Sequence, residues 1–272
     1  MNKIIDWNGN ISVENEYTHS LWDDVNENGK MYGEKWRSNP SEEYGKLIRR
    51  LLKDGLIEEF ELAIDYLSEN RLLEGNVLDA ACGVCWTTAL LSQYDKIRRI
   101  DALDFSRYVL SNVAPHVIEQ FEIHNKDKHF YTEKINMIWG SFYNIKTVNK
   151  YDLIFFSQGF HHAEDPIKLI SECDRHLITN GTIVIIGEHI IGIIKYLRMK
   201  VRIRSRIRKL FCAKAYPVNE DKKNILEIDP QYGDHVYTLY HYRTFFKDFK
   251  YRIRFLKTPI RNSYIIVAQR KS

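Results

Sequence analysis

Three groups of residues in this chain have types and spacings suited to chemistry. The first is Asp79-Ala80-Ala81-Cys82-Gly83-Val84-Cys85-Trp86-Thr87, a turn of small residues between an apolar run and a helical pattern. Small residues there let the backbone approach a ligand closely. Asp104, in Ala102-Leu103-Asp104-Phe105-Ser106, ends the next apolar run with a carboxylate that can accept both hydrogen bonds of a ribose diol. Their order within one strand–helix–strand unit points to a nucleoside-type ligand. The second group is the pair His161-His162, whose imidazoles exchange protons near neutral pH. The third is a run of cations: Lys195, Arg198, Lys200, Arg202, Arg204, Arg206, Arg208, Lys209 and Lys214 lie between Glu188 and Glu220, with no acid among them.

That run decides how the net charge of +4 is read. Without its nine cations the chain holds 31 basic against 36 acidic residues. The positive charge is local and marks a site for an anionic partner. Aliphatic and aromatic residues (Leu197, Val201, Ile203, Ile207, Leu210, Phe211) interleave with the arginines. Three readings stand for this segment: a solvated helix, a lid over an anionic substrate, or a helix on a membrane surface. Nucleic acid is disfavoured, because an arginine cluster without an RNA-binding module is weak evidence.

The elements that must position these groups follow from patterning. With 272 residues, 44% hydrophobic and 28% charged, the chain can bury a sizeable core, which excludes disordered and collagen-like classes. Residues 1 to about 40 carry turn signals; helical spacing begins at Ser41 and repeats over Ile57 to Asn70. Apolar runs at Val77–Ala81, Arg99–Leu103, Ile135–Trp139, Tyr151–Phe156, Thr182–Ile186, Tyr251–Leu256 and Tyr264–Ala268 predict seven strands. Helical patterns at Trp86–Tyr94, Ser106–Phe121 and Pro166–Leu177 lie between the early strands, which predicts a mostly parallel sheet covered on both faces. The segment 257–263 is too short for a crossover, so the last two strands form an antiparallel hairpin. The expected fold is therefore α/β and Rossmann-like, with helices on both faces. Its parts are a helical cover (1–71), a core (72–188 and 243–272) and an inserted basic cap (189–242).

These residues resemble the class I S-adenosylmethionine-dependent methyltransferases over roughly Leu72 to Ile190. Val77-Leu78-Asp79-Ala80-Ala81-Cys82-Gly83 is similar to the family's first motif, and Ala102 to Ser106 to its second-strand motif. Tyr151 to Phe156 with Gly159-Phe160-His161-His162-Ala163-Glu164-Asp165-Pro166 resembles the fourth strand and its turn. Leu169 to Leu177 and Thr179-Asn180-Gly181-Thr182 resemble the helix and turn entering strand five. The resemblance implies S-adenosylmethionine as cofactor, held by Asp79, Ala80, Ala81, Gly83, Asp104, Phe105, Ser141, Phe142, Ser157 and Gln158. Trp36 is either a cover over the sulfonium by cation–π attraction or an ordinary core tryptophan. The chain departs from the family at Ala81 and Cys85, where glycines are common. Cys85 is expected to crowd the cofactor. Ser141 stands where an acid often meets the adenine amine, and Asn180-Gly181 replaces Pro-Gly-Gly.

Within that frame His161 is the candidate base, Glu188 at the end of strand five its orienting carboxylate, and His162 a second candidate. Paired histidines here also serve the cofactor or the loop. Cys82 and Cys85 form a CxxC, but no second pair at zinc-site spacing accompanies them, so they are read as structural and no metal is expected. The basic cap with Gly233-Asp234-His235-Val236-Tyr237 loosely resembles methyltransferases of polysaccharide gene clusters. This makes Arg202, Arg204, Arg206, His235 and Tyr237 the substrate candidates. The expected reaction is O-methylation of a sugar-like, anionic acceptor, such as a nucleotide- or lipid-linked glycan precursor. N-methylation of a small amine or amino sugar is the alternative, and an inactive cofactor-binding partner subunit a third. A Rossmann dehydrogenase is disfavoured by the antiparallel end and the lack of a full GxGxxG. Four scattered cysteines, an N-terminus that turns acidic early and an apolar stretch broken by Glu188, His189 and Lys195 point to a cytoplasmic protein, with contact at the inner membrane face as a variant.

Overall fold

The computed structural model describes residues 4–7, 33–198, 226–229, 234–259 and 263–272. A short helix at 33–38 leads into α1 (Pro40–Lys53) and α2 (Leu56–Glu69). The alternating part follows: β2 (Gly75–Ala80), α3 (Trp86–Leu91), β3 (Ile97–Asp104), α4 (Arg107–Asn112), α5 (Ala114–His124), β4 (Ile135–Trp139) and β5 (Tyr151–Ser157). It continues with α6 (Pro166–His176) and β6 (Leu177–Ile186), and the chain closes with α7 (Leu239–Phe245), β9 (Tyr251–Lys257) and β10 (Tyr264–Arg270). Strand β1 (Ile5–Asp6) precedes them all, and a separate ribbon pairs β7 (Leu226–Asp229) with β8 (Asp234–Val236).

The main sheet runs β1-β4-β3-β2-β5-β6-β10-β9, parallel except for the antiparallel β6–β10 and β10–β9 pairs. This is the expected α/β architecture with its antiparallel C-terminal hairpin. The strand count differs. Eight strands replace seven because Ile5 and Asp6 add to β4 opposite Ile138 and Trp139. Two residues at a sheet edge are too few to show a period-two pattern.

Along each inner strand, successive residues feed opposite layers. Leu153 and Phe155 of β5 pack with Leu47 and Leu51 of α1, Phe60 and Ile64 of α2, and Val117 and Phe121 of α5. Ile154 and Phe156 pack on the other side with Leu169, Ile170 and Cys173 of α6 and Tyr242 and Phe245 of α7. Both faces are buried, so the strands read as continuous apolar runs.

Two local departures from the expected elements have simple causes. The helix expected over Ser106–Phe121 breaks at Val113, because Pro115 has no N–H to give the preceding turn and starts α5 instead. The turn expected at Asn180-Gly181 is absorbed into β6 as an irregularity. There Tyr151 pairs with Leu177 but Leu153 with Thr182, and Asn180 takes a φ of 66°.

A buried acid in the middle of the sheet is held by its neighbours. Asp101 of β3 is fully buried and accepts hydrogen bonds from Tyr151 Oη (2.8 Å), Arg99 Nε (2.8 Å) and Asn136 Nδ2 (3.0 Å). Burial, then the neighbouring carboxylate, pushes the Tyr151 phenol well up, so it stays a donor. Tyr151→Phe strands part of that buried carboxylate and should cost about 2 kcal/mol of stability. Denaturant unfolding should show a lower midpoint at unchanged slope; an unmoved midpoint would contradict this account.

Candidate active site

The carboxyl ends of β2, β3, β5 and β6 meet along one edge, and the backbone there is held in unusual conformations. After β2, Ala81, Gly83 and Cys85 all have left-handed φ, at 55°, 51° and 65°. After β5 Gln158 has φ 53°, and after β6 Gly187 has φ 74°. Non-glycine residues in this region cost about 1–3 kcal/mol each and persist where surrounding contacts enforce them.

The enforcing contacts are visible. Asp104, at the end of β3, accepts from Gly83 N (2.8 Å) through Oδ2 and from Ser106 N (2.8 Å) through Oδ1. Cys82 N donates to Leu103 O (3.1 Å). Asp79 is completely buried, and its Oδ2 accepts from Thr87 Oγ1 (2.7 Å) and Thr88 Oγ1 (2.5 Å), tying β2 to the start of α3. Gly159 lies so close to Ala81 that an added Cβ would meet the alanine's Cβ at 2.6 Å.

This geometry sorts the turn's residues. A Cβ on Gly83 would meet nothing within 4 Å, so its backbone faces open space. Ala80 is buried in the core, whereas Ala81 is half-buried at the edge. Cys85, expected to crowd the ligand, instead turns inward. Its Sγ lies 3.4 Å from Cys82 Sγ and 3.9 Å from Met137 Sδ. Burial pushes the Cys82 thiol well up, which opposes thiolate chemistry. No cluster of three ligand-type side chains placed to hold a metal occurs among the described residues.

Four observations bear on a nucleoside-type cofactor. Gly83 leaves room beside the turn. The Asp104 carboxylate uses one lone pair on each oxygen for backbone N–H groups, leaving acceptor capacity for a diol. Burial pushes its carboxyl up, while the N–H groups of Ser106, Gly83 and Phe105 pull it down. Ser157, at the end of β5, has a buried Oγ without a partner. The residues present therefore fit such a group. Phe105 and Phe142 are half-buried at the same edge, and the Phe105 carbonyl accepts from Trp139 Nε1 (3.0 Å). Ser141 Oγ accepts from Tyr143 N (3.2 Å) within its own turn. Trp36 is fully buried in the layer that holds α1 and α2.

Beyond the turn lies a second group of polar side chains. His161 is buried in a short 3₁₀ turn (Phe160–His162), with Nδ1 3.2 and 3.3 Å from the two oxygens of Glu188. Glu188 is only 3% exposed. Its Oε2 also accepts from Tyr242 Oη (3.2 Å) and its backbone carbonyl from Ser263 Oγ (3.3 Å). His162 is half-buried, its ring 4.2 Å from that of His161. His235 Nδ1 lies 2.9 Å from the His161 carbonyl, and Tyr237 Oη donates to the Ala163 carbonyl (3.3 Å). His235 and Tyr237 thus brace the loop that carries His161. Arg202, Arg204 and Arg206 lie outside the described residues.

Three contributors were missed in the sequence. Glu59 of α2, fully buried, accepts from Gly187 N (2.7 Å) and anchors the end of β6. It was findable, because it is an acid on the apolar stripe of Leu56, Phe60, Ala63 and Leu67. Tyr242 and Ser263 carried no such signal. They reach Glu188 only through the tertiary fold.

Residues 78–185 match the family model described as a methyltransferase domain. Among solved structures, a protein from Galdieria sulphuraria described as a sarcosine dimethylglycine methyltransferase is 20% identical, with a TM-score of 0.50. The match covers 74% of this chain and 64% of that one, so this chain spans under two thirds of its length. The magnesium protoporphyrin IX methyltransferase from Synechocystis PCC 6803, solved with bound SAH, is 15% identical over 89% of this chain and 100% of its own, with a TM-score of 0.54. The DhpI–SAM–HEP complex is 11% identical over 90% of this chain and 96% of its own, also at 0.54. At these identities the likeness is one of fold. No curated protein matches the chain.

Burial, the largest cause, pushes the Asp79 carboxyl up to about 6 against the pull of the two threonines. A carboxyl raised by folding stabilises the native state fully below about pH 4, its unfolded value. That contribution disappears as pH rises through about 6. Asp79→Asn removes the titration, so its stability should vary less between these limits than the wild type's in denaturant titrations. Identical pH slopes would show that Asp79 does not titrate there.

Proposed function

We propose that this chain, which carries a methyltransferase domain over residues 78–185, moves the methyl group of S-adenosylmethionine onto a hydroxyl of a sugar-like, anionic acceptor. The observation that carries the reading is the buried His161–Glu188 pair, 3.2 Å apart, on the edge shared with the Gly83–Asp104 turn. When bound, the cofactor supplies an electrophilic methyl group on a sulfonium. The chain's own residues have two tasks: to hold that group and to manage the acceptor's proton.

Gly83 and Ala81 admit the cofactor by close backbone approach, and Asp104 offers its remaining acceptor sites to the ribose hydroxyls. With Glu188 ionised, His161 keeps its proton on Nδ1 and presents Nε2 as an acceptor. Nε2 then takes the hydroxyl proton as the acceptor oxygen becomes bonded to carbon. Tyr242 donates to the same carboxylate and fixes its rotamer. The anionic class of the acceptor is supported by the sequence, since nine cations without an acid follow Glu188. Arginines such as Arg202, Arg204 and Arg206 suit phosphate, which they hold bidentately. A glycan precursor linked to a nucleotide or lipid has both features: a free hydroxyl and a phosphate. Turnover of labelled cofactor against nucleotide-sugars, lipid-linked precursors and small amines tests the acceptor class. Methylation of amines alone would replace this reading with N-methylation, and cofactor binding without turnover of any acceptor would favour a partner subunit.

Because Asp104 also holds the turn, Asp104→Asn isolates its ligand role better than removal of the side chain. Calorimetric titration should show cofactor binding weakened about tenfold or more in a folded variant. Unchanged affinity would remove Asp104 from the site. His161→Ala should lower kcat by about 10²- to 10⁴-fold, with cofactor affinity near wild type and the acidic limb of the pH–rate profile lost. An unaltered profile would transfer the base role elsewhere.

A further inference from the structure

We infer that the exposed apolar face of the helix at 193–198 docks this protein on an anionic lipid surface. The helix follows Glu188 by only a few residues. It is fastened through Tyr196, which is buried with its ring centroid 4.8 Å from that of His241 in α7. At about 100° per residue, fixing Tyr196 inward turns Ile193, Leu197 and Ile194 outward on one continuous arc. They are 52%, 54% and 65% exposed. Arg198 and Lys195, both exposed, extend the same arc. Tyr240, 66% exposed, lies on α7 beside the His241 ring that holds Tyr196, at 6.4 Å between ring centroids.

An aliphatic stripe bordered by cations is the pattern of a helix that rests in a membrane interface, apolar side down and charged side among headgroups. Isolated exposed apolar residues are ordinary, but several on one face next to cations mark an interaction surface. Charge selects the partner. Lys195 and Arg198 border the apolar face, and the sequence from Lys195 to Lys214 holds nine cations and no acid, which favours an anionic over a neutral leaflet. A second copy of the chain would bring the same cations against one another. The surface adjoins the site, because His189 is exposed and its ring lies 6.2 Å from that of His161. Docking here therefore brings the proposed base close to the lipid. The inference goes beyond the methyl-transfer reading, and binding to lipid can be measured without cofactor or acceptor.

The test is co-sedimentation of the full chain with vesicles of phosphatidylcholine alone, and with vesicles in which a third of the lipid is phosphatidylglycerol. Wild type should sediment with the anionic vesicles only, and added salt should reduce the bound fraction. Ile194→Asp with Leu197→Asp should reduce binding at least tenfold while melting temperature and S-adenosylmethionine affinity stay unchanged. Absence of wild-type binding to anionic vesicles at low salt overturns the proposal. So does undiminished binding of the double variant, since the apolar face would then contribute nothing. A lowered melting temperature in the double variant and in the milder Ile194→Ser would show that another part of the chain covers the face, and overturns it too. A wild-type dimer that the variant converts to a monomer would assign the face to a second copy. Loss of turnover with intact vesicle binding would count against the methyl-transfer reading alone.

Discussion

A carboxylate removed from water must be surrounded by donors, and Glu188 imposes that requirement at the end of β6. Its donors come from distant parts of the chain. His161 arrives on the turn after β5, Tyr242 on the helix before the terminal hairpin, and Ser263, through the Glu188 carbonyl, from the start of the hairpin's inner strand. Leaving one such group unpaired in the interior costs more than a typical hydrogen bond contributes. The carboxylate thus couples the turn after β5 to the helix before the hairpin, and the carbonyl of the same residue takes in the hairpin. His161 is thus oriented by a carboxylate that Tyr242 of α7 also holds, so the position of the candidate base draws on segments far apart in the chain.

The turn after β2 depends on a parallel arrangement around Asp104. One carboxylate holds the N–H of Gly83 from the neighbouring strand's turn and the N–H of Ser106 from its own. That pairing, with Asp79 gripping Thr87 and Thr88, keeps Ala81 and Cys85 in left-handed conformations that alanine and cysteine otherwise avoid. A glycine-rich turn reaches such shapes without help. Here two acids, Asp79 buried and Asp104 half-buried, replace conformational freedom with hydrogen bonds, which explains how a turn with one glycine adopts the shape.

Much of this was legible in the sequence, and what was not has physical reasons. Inner strands buried on both faces declare themselves as apolar runs, so β2 to β6 and the hairpin were readable. The small-residue turn, Asp104 and the His161–Glu188 association followed from their positions at strand ends. The two-residue strand β1 has no periodicity to detect. Cys85 looked like an obstruction because sequence order does not report χ1, and only the packed structure turns its sulfur toward Met137. Tyr242 and Ser263 were invisible because their partner lies 54 and 75 residues away. Glu59 alone broke a pattern, as an acid on an apolar stripe.

The sheet's outer margins have a consequence of their own. An unpaired strand edge is a template on which another chain can add a strand. On one side β9 ends the sheet and exposes Arg252, Arg254 and Lys257, so an incoming strand would have to bury cations. On the other side the guard is slighter. Among the described residues, β4, with the sequence Ile-Asn-Met-Ile-Trp, is paired on its outer side with Ile5 and Asp6 and through the bond from Trp7 N to the Trp139 carbonyl (2.9 Å). So short a pairing holds by few hydrogen bonds, and an apolar strand that loses its partner is the kind of adhesive border from which fibrillar aggregates grow.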